Sequence, residues 1–117
     1  MRAAVSAYEV DGVVRNDAGP MFNLFGVRCL GMEDSPGPGK MTGHSTCTYT
    51  DTDGDNIFTP YSASIGRRGT FAVTGGTGKF AGITGNGGWR RIDPAPIKSD
   101  DKRARAVVSL KISWKLP

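Results

Sequence analysis

Half of the fourteen residues from 75 to 88 are glycine, and no other stretch constrains the fold of this chain as strongly. Each glycine in a helix interior costs about 1 kcal/mol relative to alanine, so a helix is excluded there. Turns and coiled strands tolerate such a run, because glycine adopts positive φ and lets another backbone approach closely. Gly75-Gly76-Thr77-Gly78 therefore reads as a tight turn. It follows a short strand at 69–74, with Phe71 and Val73 inward, and feeds a glycine-rich strand at 79–92.

A period of two runs through the rest of the chain, and in a strand it puts successive side chains on opposite faces. In 104–116, Ala104, Ala106, Val108, Leu110, Ile112, Trp114 and Leu116 share an apolar face, with Arg105, Lys111 and Lys115 on the other. A strand of this length suits a barrel wall, which strands cross at a tilt. In 41–50, Thr42, His44, Thr46, Thr48 and Thr50 form a polar face opposite Met41, Gly43, Ser45, Cys47 and Tyr49. The Asp53-Gly54 pair marks a hairpin into a strand at 57–65, which carries Ile57, Thr59, Tyr61, Ala63 and Ile65 on one face. Pro60, on its other face, calls for an edge position or a bulge, since proline donates no ladder hydrogen bond. Strands at 3–14 and 21–32 come first, the second with Phe25, Val27 and Cys29 on one face. Residues 35–39 read as an irregular turn, and the polar stretch 93–102 as an exposed loop. The chain is thus expected to be one all-β domain, 1–117, an antiparallel meander of about eight strands. Closure into a barrel would remove both free edges of such a sheet.

A length of 117 residues suits a single core, and a hydrophobic share of 38% makes that core thin. No apolar run approaches the roughly 20 residues of a helical membrane span. Polar residues interrupt the first positions at once, which leaves no signal-peptide h-region, and the domain reads as soluble. The net charge of +4 raises a nucleic-acid partner, with Arg105, Lys111, Lys115 and the pairs Arg67-Arg68, Arg90-Arg91 and Lys102-Arg103 in support. These charges are scattered and few aromatics lie between them, so they read as a solvated surface with no nucleic-acid partner.

Several motifs dissolve on spacing. A phosphate loop ending at Gly78-Lys79 needs a glycine where Val73 stands, and a Ser or Thr where Phe80 stands. Residues 76–81 fit a loose dinucleotide pattern, but that pattern requires a following helix, which Gly82, Gly85, Gly87 and Gly88 deny. Asp51, Asp53 and Asp55 resemble a calcium loop, yet the glycine comes fourth and the twelfth place is Ser62. His44 alternates with threonines and points outward, away from any general-base role. Cys29 and Cys47 lie nearly opposite each other if their strands pair, either as a cross-strand disulfide or as two buried thiols. No catalytic constellation, metal site or cofactor is indicated.

The segment 69–85, with its Gly-Gly-Thr-Gly-Lys-Phe run, resembles one shared by the allene oxide cyclase-like and dirigent-like β-barrel superfamily. Bacterial members of that group are also similar to this chain across 47–58, including the Asp-Gly-Asp hairpin. The resemblance implies an eight-stranded barrel, dimers or trimers, and a cavity for an apolar ligand. Plant members cyclise an oxylipin epoxide or steer phenoxy-radical coupling. The shared positions here are glycines and apolar core residues, so no catalytic residue carries over. The expected function is therefore non-catalytic: a barrel that binds a small apolar ligand, or a structural and oligomerising domain. Phe25, Tyr49, Tyr61, Phe71, Trp89 and Trp114 would line or simply fill its interior. The alternative is a cyclase or isomerase acting on a lipid-like substrate in the cavity.

Overall fold

The computed structural model describes residues 4–37, 40–63, 68–92 and 107–117. Within them the alternating stretches build one antiparallel sheet: β1 (Ala4–Val14), β2 (Phe25–Gly37), β3 (Lys40–Thr50), β4 (Asn56–Ala63), β5 (Arg68–Val73), β6 (Gly75–Gly76), β7 (Thr84–Ile92) and β8 (Val107–Lys115). A single 3-10 turn, Gly78–Phe80, precedes β7. The strand order is β1-β2-β3-β4-β5-β7-β8, with β6 paired to β4.

The sheet is an open half-barrel, which corrects the expectation of a closed one. Among the described residues β1 pairs with β2 alone and β8 with β7 alone. The physical reason lies in the strand count: β1 runs unbroken through Gly12, and β5 and β6 do not supply an eighth strand. Tyr61 faces Phe71 and Ser62 faces Thr70, whereas Phe58 faces Gly75 and Ile57 faces Gly76. The register slips by one residue between these pairs, so β5 and β6 are one strand with a bulge. That leaves seven strands on the path, and six antiparallel steps make β1 and β8 run the same way. Closing the sheet on itself would therefore take a parallel β1–β8 pair, which the described residues do not form.

The bulge also accounts for Pro60. The Phe58 carbonyl accepts from the Thr74 N–H at 3.0 Å, so residues 58 and 60 present their backbone toward β5 and β6. The missing donor of Pro60 falls where the ladder is already interrupted. Pro60 thus occupies a bulge in a central strand, and an edge position is not needed.

Two other boundaries differ from the sequence pattern. The strand expected at 21–32 begins at Phe25 and runs on to Gly37, because residues 20–24 form a turn. Phe22 and Leu24 both have φ of 59° there, a left-handed conformation that costs a bulky residue energy. Asn16 holds that turn: its Nδ2 donates to the Met21 carbonyl at 2.7 Å, and its N–H donates to Asn23 Oδ1 at 2.8 Å. The strand expected at 79–92 begins only at Thr84, since the chain first makes the 3-10 turn that buries Phe80. Residues 3, 38–39, 64–65, 67 and 93–106 of the expected elements and basic pairs lie outside the described residues.

The concave face carries the core. Phe22, Phe25, Cys29, Cys47, Tyr49, Ile57, Phe71, Val73, Phe80 and Ile83 form one buried cluster, joined by buried Thr59. Phe22 and Phe80 fold over one end of the half-barrel, near Phe25 and Tyr49. The convex face holds the threonines of β3, with His44, Leu30 and Met32 exposed beside them.

Candidate functional site

Pairing across the sheet lines up an aromatic row on the concave face. The Phe80 and Phe25 ring centroids are 5.8 Å apart, Phe25 and Phe22 5.6 Å, and Phe22 meets Tyr49 edge-on at 5.4 Å. Tyr61 and Phe71, directly opposite on β4 and β5, lie 4.6 Å apart. Spacings of this kind are favourable for edge-to-face and offset contacts. The two halves of the row join through a hydrogen bond between the Tyr49 and Tyr61 hydroxyls, 2.5 Å long. Thr59, between them in the sheet, donates to the Cys47 carbonyl at 3.3 Å.

Burial pushes both phenols above their usual range, and for Tyr49 the neighbouring Tyr61 adds to the shift. They therefore stay neutral, as hydrogen-bond donors and acceptors in an apolar concavity. Cys29 and Cys47, directly opposite in the register of β2 and β3, are joined as a disulfide beneath this row.

Trp89 extends the floor from β7. It sits opposite Gly69, whose missing side chain leaves room for the indole to lie over the backbone. Its Nε1–H is buried, and among the described residues it is the one buried side-chain donor without a hydrogen-bond partner. Leaving such a donor unpaired costs about 1–3 kcal/mol. Trp114 lies on the same face opposite Gly85 but remains 44% exposed, because β8 is a free edge. Val108 on that strand is equally uncovered. Of the six aromatics marked in the sequence, Phe25, Tyr49, Tyr61 and Phe71 share the row, Trp89 borders it, and Trp114 stands at the rim. Phe22 and Phe80 were not among those six. Both sit in turns, where no alternation marks a side chain as inward.

A second cluster uses the two motifs that failed on spacing. Lys79 Nζ lies among three carboxylates, bonded to Asp51, to Asp53 Oδ2 at 2.8 Å and to Asp55 Oδ2 at 3.2 Å. Asp51 Oδ1 also accepts from the N–H groups of Asp53 and Asp55 at 3.0 and 2.9 Å. The Lys79 ammonium holds the Asp51 carboxyl below the usual carboxylate range, and Asp51 and Asp53 in turn hold Lys79 above the usual ammonium range. Gly78 brings the lysine in. Its φ is +55°, and any Cβ there would collide with the Asp55 carboxylate. Thr77 completes the clasp, its Oγ1 accepting from the Asn56 N–H at 2.9 Å. The would-be calcium loop is thus filled by the lysine of the would-be phosphate loop. Among the described residues no group of His, Cys, Asp and Glu is arranged to hold a metal ion.

No family model, curated protein or solved structure matches this chain. No helix among the described residues is long and apolar enough to cross a membrane. His44 is exposed on the convex face, and the open groove across that face is lined by Asp11, Arg28, Leu30, Thr46, Thr48 and Thr50 without an enclosed cavity.

Proposed function

We propose that this protein is a non-catalytic binding domain whose concave face takes a small amphipathic molecule, with an apolar body and one hydrogen-bond acceptor. The observation that carries the reading is the unpaired, buried Nε1–H of Trp89, which lies over Gly69 on the concave face. Buried donors in folded proteins almost always have a partner, and an orphan calls for a ligand or a water to supply it. Apolar walls with few polar groups are the usual make-up of small-molecule sites. The likeness of segment 69–85 to the allene oxide cyclase-like and dirigent-like group supports the same ligand class. The non-catalytic form is favoured because the polar groups nearest the floor are two neutral phenols and a threonine hydroxyl.

The test is a fluorescence titration with decanoate, on the Trp114→Phe variant so that Trp89 is the sole reporter. Saturable change of the indole emission is the expected result. Trp89→Phe keeps the apolar surface but removes the donor, and should weaken decanoate binding at least about tenfold, since a hydrogen bond to a charged carboxylate is worth about 1.5–3 kcal/mol. No saturable change in the first variant, or unaltered affinity of the second (measured by calorimetry), overturns the reading.

A further inference from the structure

The two free edges of the half-barrel differ in charge. On the β1–β2 side stand Glu9, Asp11, Glu33 and Asp34, against Arg28 alone. On the β7–β8 side stand Arg90, Arg91, Lys111 and Lys115, with no carboxylate in either strand. Both edges also expose apolar side chains: Val5, Val10 and Val13 on β1, and Val107, Val108 and Trp114 on β8. Long edges with exposed apolar residues are templates for pairing with another chain.

We infer that a second copy of this chain closes the half-barrel, with β1 of each copy pairing β8 of the other at two equivalent seams. Charge selects this arrangement. Pairing β1 with its own copy would set Glu9 and Asp11 against the same carboxylates, and pairing β8 with its own copy would set Lys111 and Lys115 against lysines. Direction allows it as well. β1 and β8 run the same way within one chain, so a twofold axis along the barrel brings them together as parallel neighbours at both seams. Each copy then covers the other's exposed valines and Trp114. The inference stands apart from the ligand reading, since neither seam uses Trp89, Tyr49 or Tyr61.

Light scattering coupled to size exclusion tests it on the full chain. The wild type should run as a dimer at about 0.05 M salt and loosen, with dissociation rising at least about tenfold, near 1 M, where the screening length falls to roughly 3 Å. Lys111→Glu with Lys115→Glu makes both edge strands, β1 and β8, acidic, and Glu9→Lys with Asp11→Lys makes both of them basic. Each of these folded variants should be monomeric alone, and the two should form a mixed dimer when combined, because both seams are then complementary again. Circular dichroism separates a folded monomer from an unfolded one. Should either swapped chain fail to fold, the salt dependence of the wild type decides. A wild type that stays monomeric at low salt, or swapped variants that still dimerise by themselves, overturns the inference.

Discussion

Lys79 is where residue-scale chemistry matters most for stability. Its ammonium bridges three carboxylates on the 51–55 turn, and the nearly buried Asp51 depends on it. Asp51 has a folded pKa below its unfolded one, so its interactions contribute stability above pH about 4 and lose it as pH falls through the lowered value. The wild-type unfolding temperature should therefore be flat from neutral pH down to about 5 and decline only in stronger acid. In Lys79→Met the sign reverses. Three clustered carboxylates without a cation repel, so the variant should melt below the wild type at pH 7 and recover part of the gap toward pH 4, as the clustered groups take up protons. Thermal unfolding followed by circular dichroism over that range checks both statements. A Lys79→Met gap that does not narrow on acidification would show that the clasp is sterically, not electrostatically, important.

At the scale of the element, β7 shows what the glycine run is for. A Cβ on Gly87 would run into the Phe71 ring and the Lys111 carbonyl, and one on Gly85 into the Ser113 carbonyl. A Cβ on Gly88 meets nothing nearer than the Gly69 carbonyl at 3.6 Å, an ordinary contact. The alternation follows the pleat, since Gly85 and Gly87 face the concave side where strand and core crowd together. Gly87→Ala should cost about 1–3 kcal/mol through overpacking. Gly88→Ala should be neutral or stabilising by up to about 1 kcal/mol, because alanine restricts the unfolded chain. Urea denaturation of the pair distinguishes a packing role from a purely conformational one. Equal effects at both positions would refute the packing argument. Pro60 carries the same lesson. Its sequence signature left edge and bulge open, and only the register of β5 and β6 against β4 assigns it to the bulge.

For the whole molecule, one sheet must supply stability without a second layer. The core is confined to the concave side, and much of it lies at one end beneath Phe22 and Phe80. Covalent support is then expected to matter. Cys29 and Cys47 are 18 residues apart, and closing a loop of that size removes unfolded-state entropy worth about 3 kcal/mol. Denaturant unfolding with and without dithiothreitol should differ by roughly that amount. Identical curves would mean that hairpin packing alone holds β2 and β3 together.

What could be read from the sequence and what could not divides by range of interaction. Period-two alternation placed the apolar faces of β3, β4 and β8, because side-chain direction in a strand is a local property. The glycine run excluded a helix for an equally local reason, and the spacing of Lys79 and of the 51–55 carboxylates excluded two ligand motifs. The aromatic row was legible as far as Phe25, Tyr49, Tyr61 and Phe71, which sit in alternating strands. Phe22 and Phe80 were not, because they reach the core from turns set by Asn16 and Gly78. Only tertiary structure determined that the sheet stays open. Closure depends on the number and direction of strands, and β1 runs unbroken through Gly12, so seven paired strands leave β1 and β8 running the same way and unpaired. Tertiary structure also brought Lys79 to its three carboxylates and left the Trp89 N–H without a partner, since both depend on side chains far apart in the chain.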